Sequence, residues 1–203
     1  MNDTYLTIKS SGQGFYREKG SRFISYAYPV KSADEAKEIV ESLRREYHDA
    51  RHHCYAYMIG HERLNWKVSD DREPSGTAGK PILGVINFHG LTNIIIVVIR
   101  YFGGTLLGTG GLINAYRTAA VDAINNCEII EAYVYESYKL TFQYASLSEV
   151  MRILKEDNIH QTAHSYDNIC SIIVSIRLSI KDTVLKKLSL ISGLAWEKTS
   201  VQK

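Results

Sequence analysis

A glycine-rich segment in the middle of the chain combines residue types that bind anions. Residues 101–111 read Tyr-Phe-Gly-Gly-Thr-Leu-Leu-Gly-Thr-Gly-Gly, after a continuous β-branched run and before a helical pattern. A helix N-terminus offers free backbone N–H groups and the positive end of the helix dipole, and glycines let an anion approach the main chain. The sequence therefore predicts an anion site at residues 103–111, which we call the glycine turn.

Residues around the glycine turn add charge and ring surface. Arg100 precedes the turn and Arg117 lies in the helix that follows, and a guanidinium pairs well with a phosphate. Tyr101 offers a ring on which a base can stack. The predicted phosphate- or nucleic-acid-binding set is Arg100, Tyr101, Gly103, Gly104, Gly108, Thr109, Gly110, Gly111, Arg117, Arg72 and Lys80.

The glycine turn matches neither of the two common phosphate-binding motifs. Thr109 and Gly110 stand where a Walker A loop needs Lys and then Ser or Thr, and Ile113 stands where the dinucleotide fingerprint needs its third glycine. An ATPase of that class and a dinucleotide enzyme are therefore not expected. The alternative is that the glycines only permit a tight turn and close helix packing.

An acidic cluster formed by Asp70, Asp71 and Glu73 is the second candidate site. Three carboxylates before hydroxyls, glycines and a lysine at a helix start suggest a metal or general-base role. Carboxylates near a helix N-terminus also stabilise its dipole and cap its N–H groups, which is the more ordinary explanation. We assign no catalytic residue and keep the cluster as an alternative.

His52, His53, Cys54 and His61 superficially suggest zinc. Adjacent residues of a strand point to opposite faces, and no second ligand pair follows downstream. We expect no metal and no cofactor, and we expect Cys54 to be a buried thiol.

Composition restricts the function further. The 203 residues carry 24 basic and 22 acidic side chains, a net charge of +2, so any polyanion binding must be local. The three cysteines have no paired spacing, which predicts reduced thiols. No secretory signal and no apolar run of membrane-spanning length is present, so we expect a cytoplasmic protein with no membrane partner.

Periodicity predicts the elements that position the glycine turn. We expect strands over Phe15 to Val30, Cys54 to Ile59 and Ile94 to Arg100, and a long loop over Gly60 to Lys80. A helix should begin behind the Ser32 and Glu35 capping box. Two further helices should begin near Pro81 and after the glycine turn.

The C-terminal part repeats a compact pattern. We expect a strand over Tyr138 to Tyr144, a helix over Leu147 to Glu156 with a Ser146 capping box, a hairpin at Asp167 and Asn168, a helix over Asp182 to Ser192 ending before Gly193, and a strand over Trp196 to Val201. This order is the ferredoxin-like βαββαβ arrangement. We predict an α+β protein with domains at residues 1–134 and 135–203.

Several motifs together resemble the IMPACT/YigZ family. They are Glu18 to Phe23, Ala50 to Ala56, Asp70 to Pro81, Arg100 to Gly104, Leu107 to Gly108 and Gly110 to Leu112. The resemblance covers essentially the whole chain. It implies a first domain with the fold of the second domain of small-subunit ribosomal protein five, and a second domain similar to a C-terminal domain of elongation factor G.

The resemblance also bears on function. Eukaryotic members regulate translation through an amino-acid-starvation kinase pathway and use an extra N-terminal domain for which we expect no counterpart here, so the resemblance does not simply carry that role across. Bacterial members are suspected of binding nucleic acid, and the family has no established catalytic set. Arg72, Leu106 and Asn114 depart from the usual glycine, lysine and basic residue at their positions. The two charges lost at Leu106 and Asn114 predict weaker phosphate binding in this chain, unless Arg72, Arg100 or Arg117 compensates.

Three functional hypotheses follow. The first is a non-catalytic protein that binds RNA or the ribosome and is linked to regulation of translation. The second is an enzyme that acts on a phosphorylated small molecule, with the acidic cluster facing the glycine turn across a cleft. The third is a protein-interaction adaptor that docks a partner through the sheet or a strand edge of its ferredoxin-like half.

Overall fold

A computed structural model describes residues 3–199 of the chain, which divide into two units. The first unit comprises Tyr5–Ala132, and the second comprises residues 3–4 and 133–199. Both units mix helices and strands, so the chain is a two-domain α+β protein. Among the helices of the described residues, none has the length and apolar character needed to cross a membrane.

The first unit contains the glycine turn between its last long strand and its longest helix. Its elements are β1 (Thr4–Ile8), β2 (Gly12–Glu18), β3 (Ser21–Pro29), α1 (Ala33–Glu46), β4 (His52–Ile59), β5 (Asn65–Ser69), α2 (Gly79–Phe88), β6 (Ile94–Tyr101), α3 (Gly108–Asn125) and β7 (Ile129–Tyr133).

A five-stranded sheet forms the centre of this unit, in the order β2-β3-β6-β4-β5, and all its neighbours are antiparallel. The predicted two-sided burial of β6 is confirmed, because Ile94 to Ile99 are all fully buried. One face packs against α2 and α3, and the other packs against α1. β1 and β7 form a separate two-stranded sheet.

Two predicted elements of this unit differ from the structure. Residues 15–30 are not one strand, because β2 and β3 form a hairpin with a turn at Lys19 and Gly20, where φ is 45° and 81°. The expected loop over Gly60 to Lys80 contains β5, which pairs with β4 at the sheet edge. The Ser32 cap is confirmed, since its Oγ accepts a hydrogen bond from the Glu35 backbone N–H at 3.1 Å.

The second unit is ferredoxin-like, as predicted. Its four-stranded antiparallel sheet has the order β11-β8-β10-β9, and its elements are β8 (Tyr135–Gln143), a 3-10 turn (Tyr144–Ser146), α4 (Leu147–Glu156), β9 (His160–Ser165), β10 (Ile169–Arg177), α5 (Lys181–Ser189) and β11 (Ala195–Thr199). Apolar side chains of β8, β10, α4 and α5 fill its core.

Helix ends account for the differences in this unit. α4 has the predicted bounds, but Ser146 makes no side-chain capping bond, because a 3-10 turn leads into the helix. α5 ends at Ser189, three residues earlier than expected, and Gly193 lies beyond it with a φ of 75°. The predicted extension of the last strand to Val201 lies outside the described residues.

Glu136 in β8 is expected to make the second unit sensitive to acid. Its Oε1 accepts from Lys198 Nζ at 2.8 Å and its Oε2 from the Tyr138 hydroxyl at 2.5 Å, and these bonds lower the pKa of Glu136 from 4.5 to about 2. A carboxylate with a lowered folded-state pKa stabilises the fold fully above about pH 4.5 and loses that contribution as the pH falls toward 2. Because Lys198 is exposed, we expect Glu136→Gln to cost only about 1 kcal/mol at pH 7.

Urea unfolding of wild type and Glu136→Gln at pH 7 and pH 3 measures this contribution. The difference between the two proteins should shrink at pH 3, where the unfolded wild type already binds the proton. A difference that stays constant between the two pH values would contradict the prediction.

Candidate functional site

The glycine turn connects β6 to α3 and lies at the surface. Residues 102–106 and 108–110 are exposed, and no side chain within the described chain caps the first turn of α3. Gly104 and Gly108 have φ values of 87° and 71°, a backbone region that L side chains rarely adopt. A Cβ placed on Gly104, Gly108 or Gly110 would meet no atom within 4 Å, so the space beside these glycines is open.

Gly103 differs from the other glycines of the turn, because it is packed against the β2–β3 hairpin. A Cβ there would overlap the backbone of Gly20 and Ser21. Ser21 Oγ accepts a hydrogen bond from the Gly103 backbone N–H at 3.2 Å. Close packing therefore explains Gly103, whereas it does not explain Gly104, Gly108 and Gly110.

Arg100 lies beneath the glycine turn rather than on its surface. Only 5% of the residue is exposed, its guanidinium lies over the rings of Phe23 and Phe102, and Nη1 donates to Glu73 Oε1 at 2.7 Å. The expected phosphate contact from Arg100 does not fit this geometry, because a buried carboxylate already neutralises the charge. We treat Arg100 as a structural residue.

Glu73 is the centre of a buried polar cluster that fastens the loop before α2 to the elements around the glycine turn. Its Oε1 also accepts from the Tyr116 hydroxyl at 2.8 Å, and Tyr116 belongs to α3. The same hydroxyl accepts a hydrogen bond from the Cys54 thiol at 3.3 Å. Burial is the main cause that raises the pKa of both Cys54 and Tyr116, so neither group ionises near neutral pH. The thiol is therefore poorly suited to be a nucleophile.

The other two carboxylates of the acidic cluster also hold backbone. Asp70 accepts hydrogen bonds from the N–H groups of Gly76, Ala78 and Gly79 at 2.8, 3.0 and 2.8 Å. Burial raises the pKa of Asp70, but these three bonds outweigh it and leave the pKa lowered. Asp70 thereby caps the start of α2, the more ordinary role considered for this cluster.

Asp71 anchors the loop to the other side of the sheet. Its Oδ2 accepts from the His53 backbone N–H at 2.7 Å, and its Oδ1 lies 3.2 Å from Arg44 Nη2. All three carboxylates are thus occupied by protein groups. This arrangement does not favour the hypothesis of an enzyme whose carboxylates face the glycine turn across a cleft.

The remaining predicted residues lie at or near the surface. Arg117, Lys80 and Thr109 are exposed, while Tyr101 is partly covered by the Arg22 guanidinium at 4.7 Å and donates to Asp49 at 2.6 Å. Arg72 is exposed and adopts a φ of 71°. This left-handed backbone gives a physical reason for the glycine that is usual at its position.

His52 and His53 lie on opposite faces of β4, as expected from strand alternation. Among residues 3–199, no group of three or more His, Cys, Asp and Glu side chains is arranged to hold a metal ion.

Sequence reasoning assigned no binding role to Arg17 and Arg22, which the structure places opposite each other on the hairpin. Their spacing along the chain carries no signal until the turn at Lys19 and Gly20 fixes the strand register.

Comparison with known proteins finds named relatives that belong to one family. Residues 19–124 match the model of the Impact N-terminal domain. The IMPACT family member YvyE of Bacillus subtilis is 34% identical over 83% of this chain and 78% of its own length, and the IMPACT family member YigZ of Escherichia coli is 40% identical over 67% and 68%. A crystal structure of a hypothetical protein matches with a TM-score of 0.75 and 29% identity, over 100% of both chains.

Proposed function

Because the chain belongs to the IMPACT family, we propose that it binds RNA, free or within the ribosome, through its glycine turn, without catalysing a reaction. The observation that carries this proposal is the uncapped N-terminus of α3, with open space beside Gly104, Gly108 and Gly110. Backbone N–H groups at such a terminus are suited to phosphate oxygens.

Charge near the turn supports a phosphate ligand of moderate affinity. Arg117 on α3 is exposed and forms no ion pair within residues 3–199, so its guanidinium is available. Leu106, which is 83% exposed, and Asn114 stand where the family resemblance implies basic residues. Each phosphate contact contributes to affinity and to its salt dependence, so we expect this chain to bind RNA less tightly than relatives with the full set. A role in the regulation of translation, in the cytoplasm, follows from the family resemblance and forms part of the proposal.

Co-sedimentation with ribosomes and anisotropy with labelled RNA, each across a salt titration, test the proposal. We expect Gly110→Glu to abolish most of the binding, because its carboxylate would enter the open space and repel phosphate. Arg117→Ala should reduce the slope of log affinity against log salt by about 0.7 to 0.9, the value for one phosphate contact. Arg100 is left intact, since its replacement would test folding instead.

Lys186→Ala provides the matched control, because Lys186 is an exposed cation on α5 in the other unit. Its binding should equal that of wild type. Equal binding by Gly110→Glu, or a wild-type protein that associates with neither ribosomes nor RNA, would reject the proposed site.

A further inference from the structure

The β2–β3 hairpin presents rings and arginines together on one face of the sheet. We call the set Phe15, Arg17, Arg22, Tyr26, Tyr28 and Tyr101 the aromatic–arginine strip. The pairing Arg17↔Arg22 and the pairing Arg22↔Tyr101 place three strands in line, so the strip runs from β2 across β3 to the end of β6. Tyr101 is followed directly by the glycine turn.

The part of this face around Phe15, Arg17 and Arg22 is exposed, whereas the tyrosines of the strip are partly buried against the core that α1 forms with the sheet. In β2, Gly12 and Gly14 are buried under α3, whereas Phe15 and Arg17 are exposed on the opposite face. α1 lies on that opposite face and packs mainly on β4. Tyr47, the C-cap of α1, is hydrogen-bonded through its hydroxyl to that of Tyr26. Phe15 remains 44% exposed.

The rings of the strip are already arranged with cations and with each other. Arg17 lies over the Phe15 ring at 5.1 Å, and Arg22 lies over the Tyr101 ring at 4.7 Å. Tyr26 and Tyr28 are stacked, with ring centroids 6.0 Å apart and an interplanar angle of 17°. The strip therefore places aromatic rings, partly covered by guanidinium groups, and positive charge within a few ångströms of each other.

The two arginines are unfavourable for the fold alone. Like charges directly opposite each other on neighbouring strands destabilise a sheet. Asp49, just beyond the end of α1, makes no ion pair with Arg22 within residues 3–199, although the charge of Arg22 contributes to the lowered pKa of Asp49. Two exposed guanidinium groups without an ion pair among the described residues, beside the exposed ring of Phe15, are complementary to phosphates that alternate with bases.

We propose that the aromatic–arginine strip is a binding surface for single-stranded nucleic acid, with bases stacked on Phe15 and its neighbours and phosphates paired with Arg17 and Arg22. Base stacking on aromatic side chains requires unpaired bases, because a duplex keeps its bases stacked inside. The inference extends the proposed function, since the same strand would continue from Tyr101 onto the glycine turn.

Fluorescence anisotropy of the full chain with a labelled oligouridylate of about 20 nucleotides, longer than one strip needs, tests the inference. Phe15→Leu keeps apolar volume and removes the ring, and should weaken binding about tenfold. The double variant Arg17→Gln, Arg22→Gln should reduce the salt slope by about 1.4, because each phosphate contact on a single strand contributes about 0.7. Phe88→Leu is the control, since Phe88 is 87% exposed on α2, away from this face.

Three results would overturn the inference: unchanged binding by both strip variants, an equal loss with Phe88→Leu, or a duplex of the same length bound as tightly as the single strand. Gly110→Glu, measured in parallel, separates the two sites. Weak binding by the strip variants with normal binding by Gly110→Glu supports the strip and rejects the glycine turn, and the reverse pattern rejects the strip alone.

Discussion

Glu73→Ala is expected to lower the free energy of unfolding by about 3 to 5 kcal/mol, because it leaves a buried arginine without its counter-charge. The Glu73 side chain is 4% exposed and that of Arg100 is 6% exposed, and their closest atoms are 2.7 Å apart. After the substitution, Arg100 would retain the rings of Phe23 and Phe102 and a 3.4 Å hydrogen bond to Ser21 Oγ, but no described counter-charge. Urea unfolding followed by circular dichroism measures the loss.

A double variant, Glu73→Leu with Arg100→Met, distinguishes the cost of losing the ion pair from the cost of leaving one buried charge unpaired. Removing both charges avoids an unpaired ion, so the double variant should be more stable than Glu73→Ala. Tyr116→Phe should cost less, about 1.5 to 3 kcal/mol, since it removes one hydrogen bond to the same carboxylate and the acceptor of the Cys54 thiol. A loss below about 1 kcal/mol for Glu73→Ala would mean that Arg100 reaches solvent and would restore it as a candidate phosphate ligand.

The sequence predicts those helices and strands that are marked by periodicity or turn residues close together along the chain. The order of strands and helices in the second unit follows from short-range periodicity and turn residues, and α4 was predicted with its observed bounds. β5 was missed because it is an edge strand whose first three residues, Asn65 to Lys67, are exposed. The hairpin turn was missed because Lys19 adopts a positive φ without the Asn or Asp that usually signals such a turn.

The candidate site was predictable in part. Strand, glycines and helix follow each other along the chain, so the position of the glycine turn could be derived from the sequence. The partner of Arg100 could not, because Glu73 lies 27 residues away and meets it only when the sheet and α2 are in place. Since both faces of β6 are buried, alternation along that strand does not reveal which face Arg100 occupies.

Gly14→Ala is expected to lower the free energy of unfolding by about 3 kcal/mol, because α3 lies directly on β2 at this position. A Cβ on Gly14 would overlap the backbone nitrogen of Ala123, and it would lie 2.7 Å from both Ser25 Oγ and the carbonyl carbon of Asp122. These are mostly backbone atoms, which cannot rotate away, so α3 itself must shift. Asp122 also accepts a hydrogen bond from the Phe15 backbone N–H at 2.8 Å, which the shift would strain.

Gly84→Ala is the matched control, because Gly84 lies inside α2 and a Cβ there meets no atom within 4 Å. The same change should stabilise the protein there by about 0.5 to 1 kcal/mol through helix propensity. If the two substitutions change the free energy of unfolding in opposite directions, the contact between β2 and α3, rather than backbone entropy, determines the effect at Gly14. α3 carries Gly108 and Gly110 at its other end, so Gly14→Ala should also weaken RNA binding under conditions where the protein stays folded. A destabilised variant with unchanged RNA binding would show that the glycine turn does not depend on the position of α3 against β2.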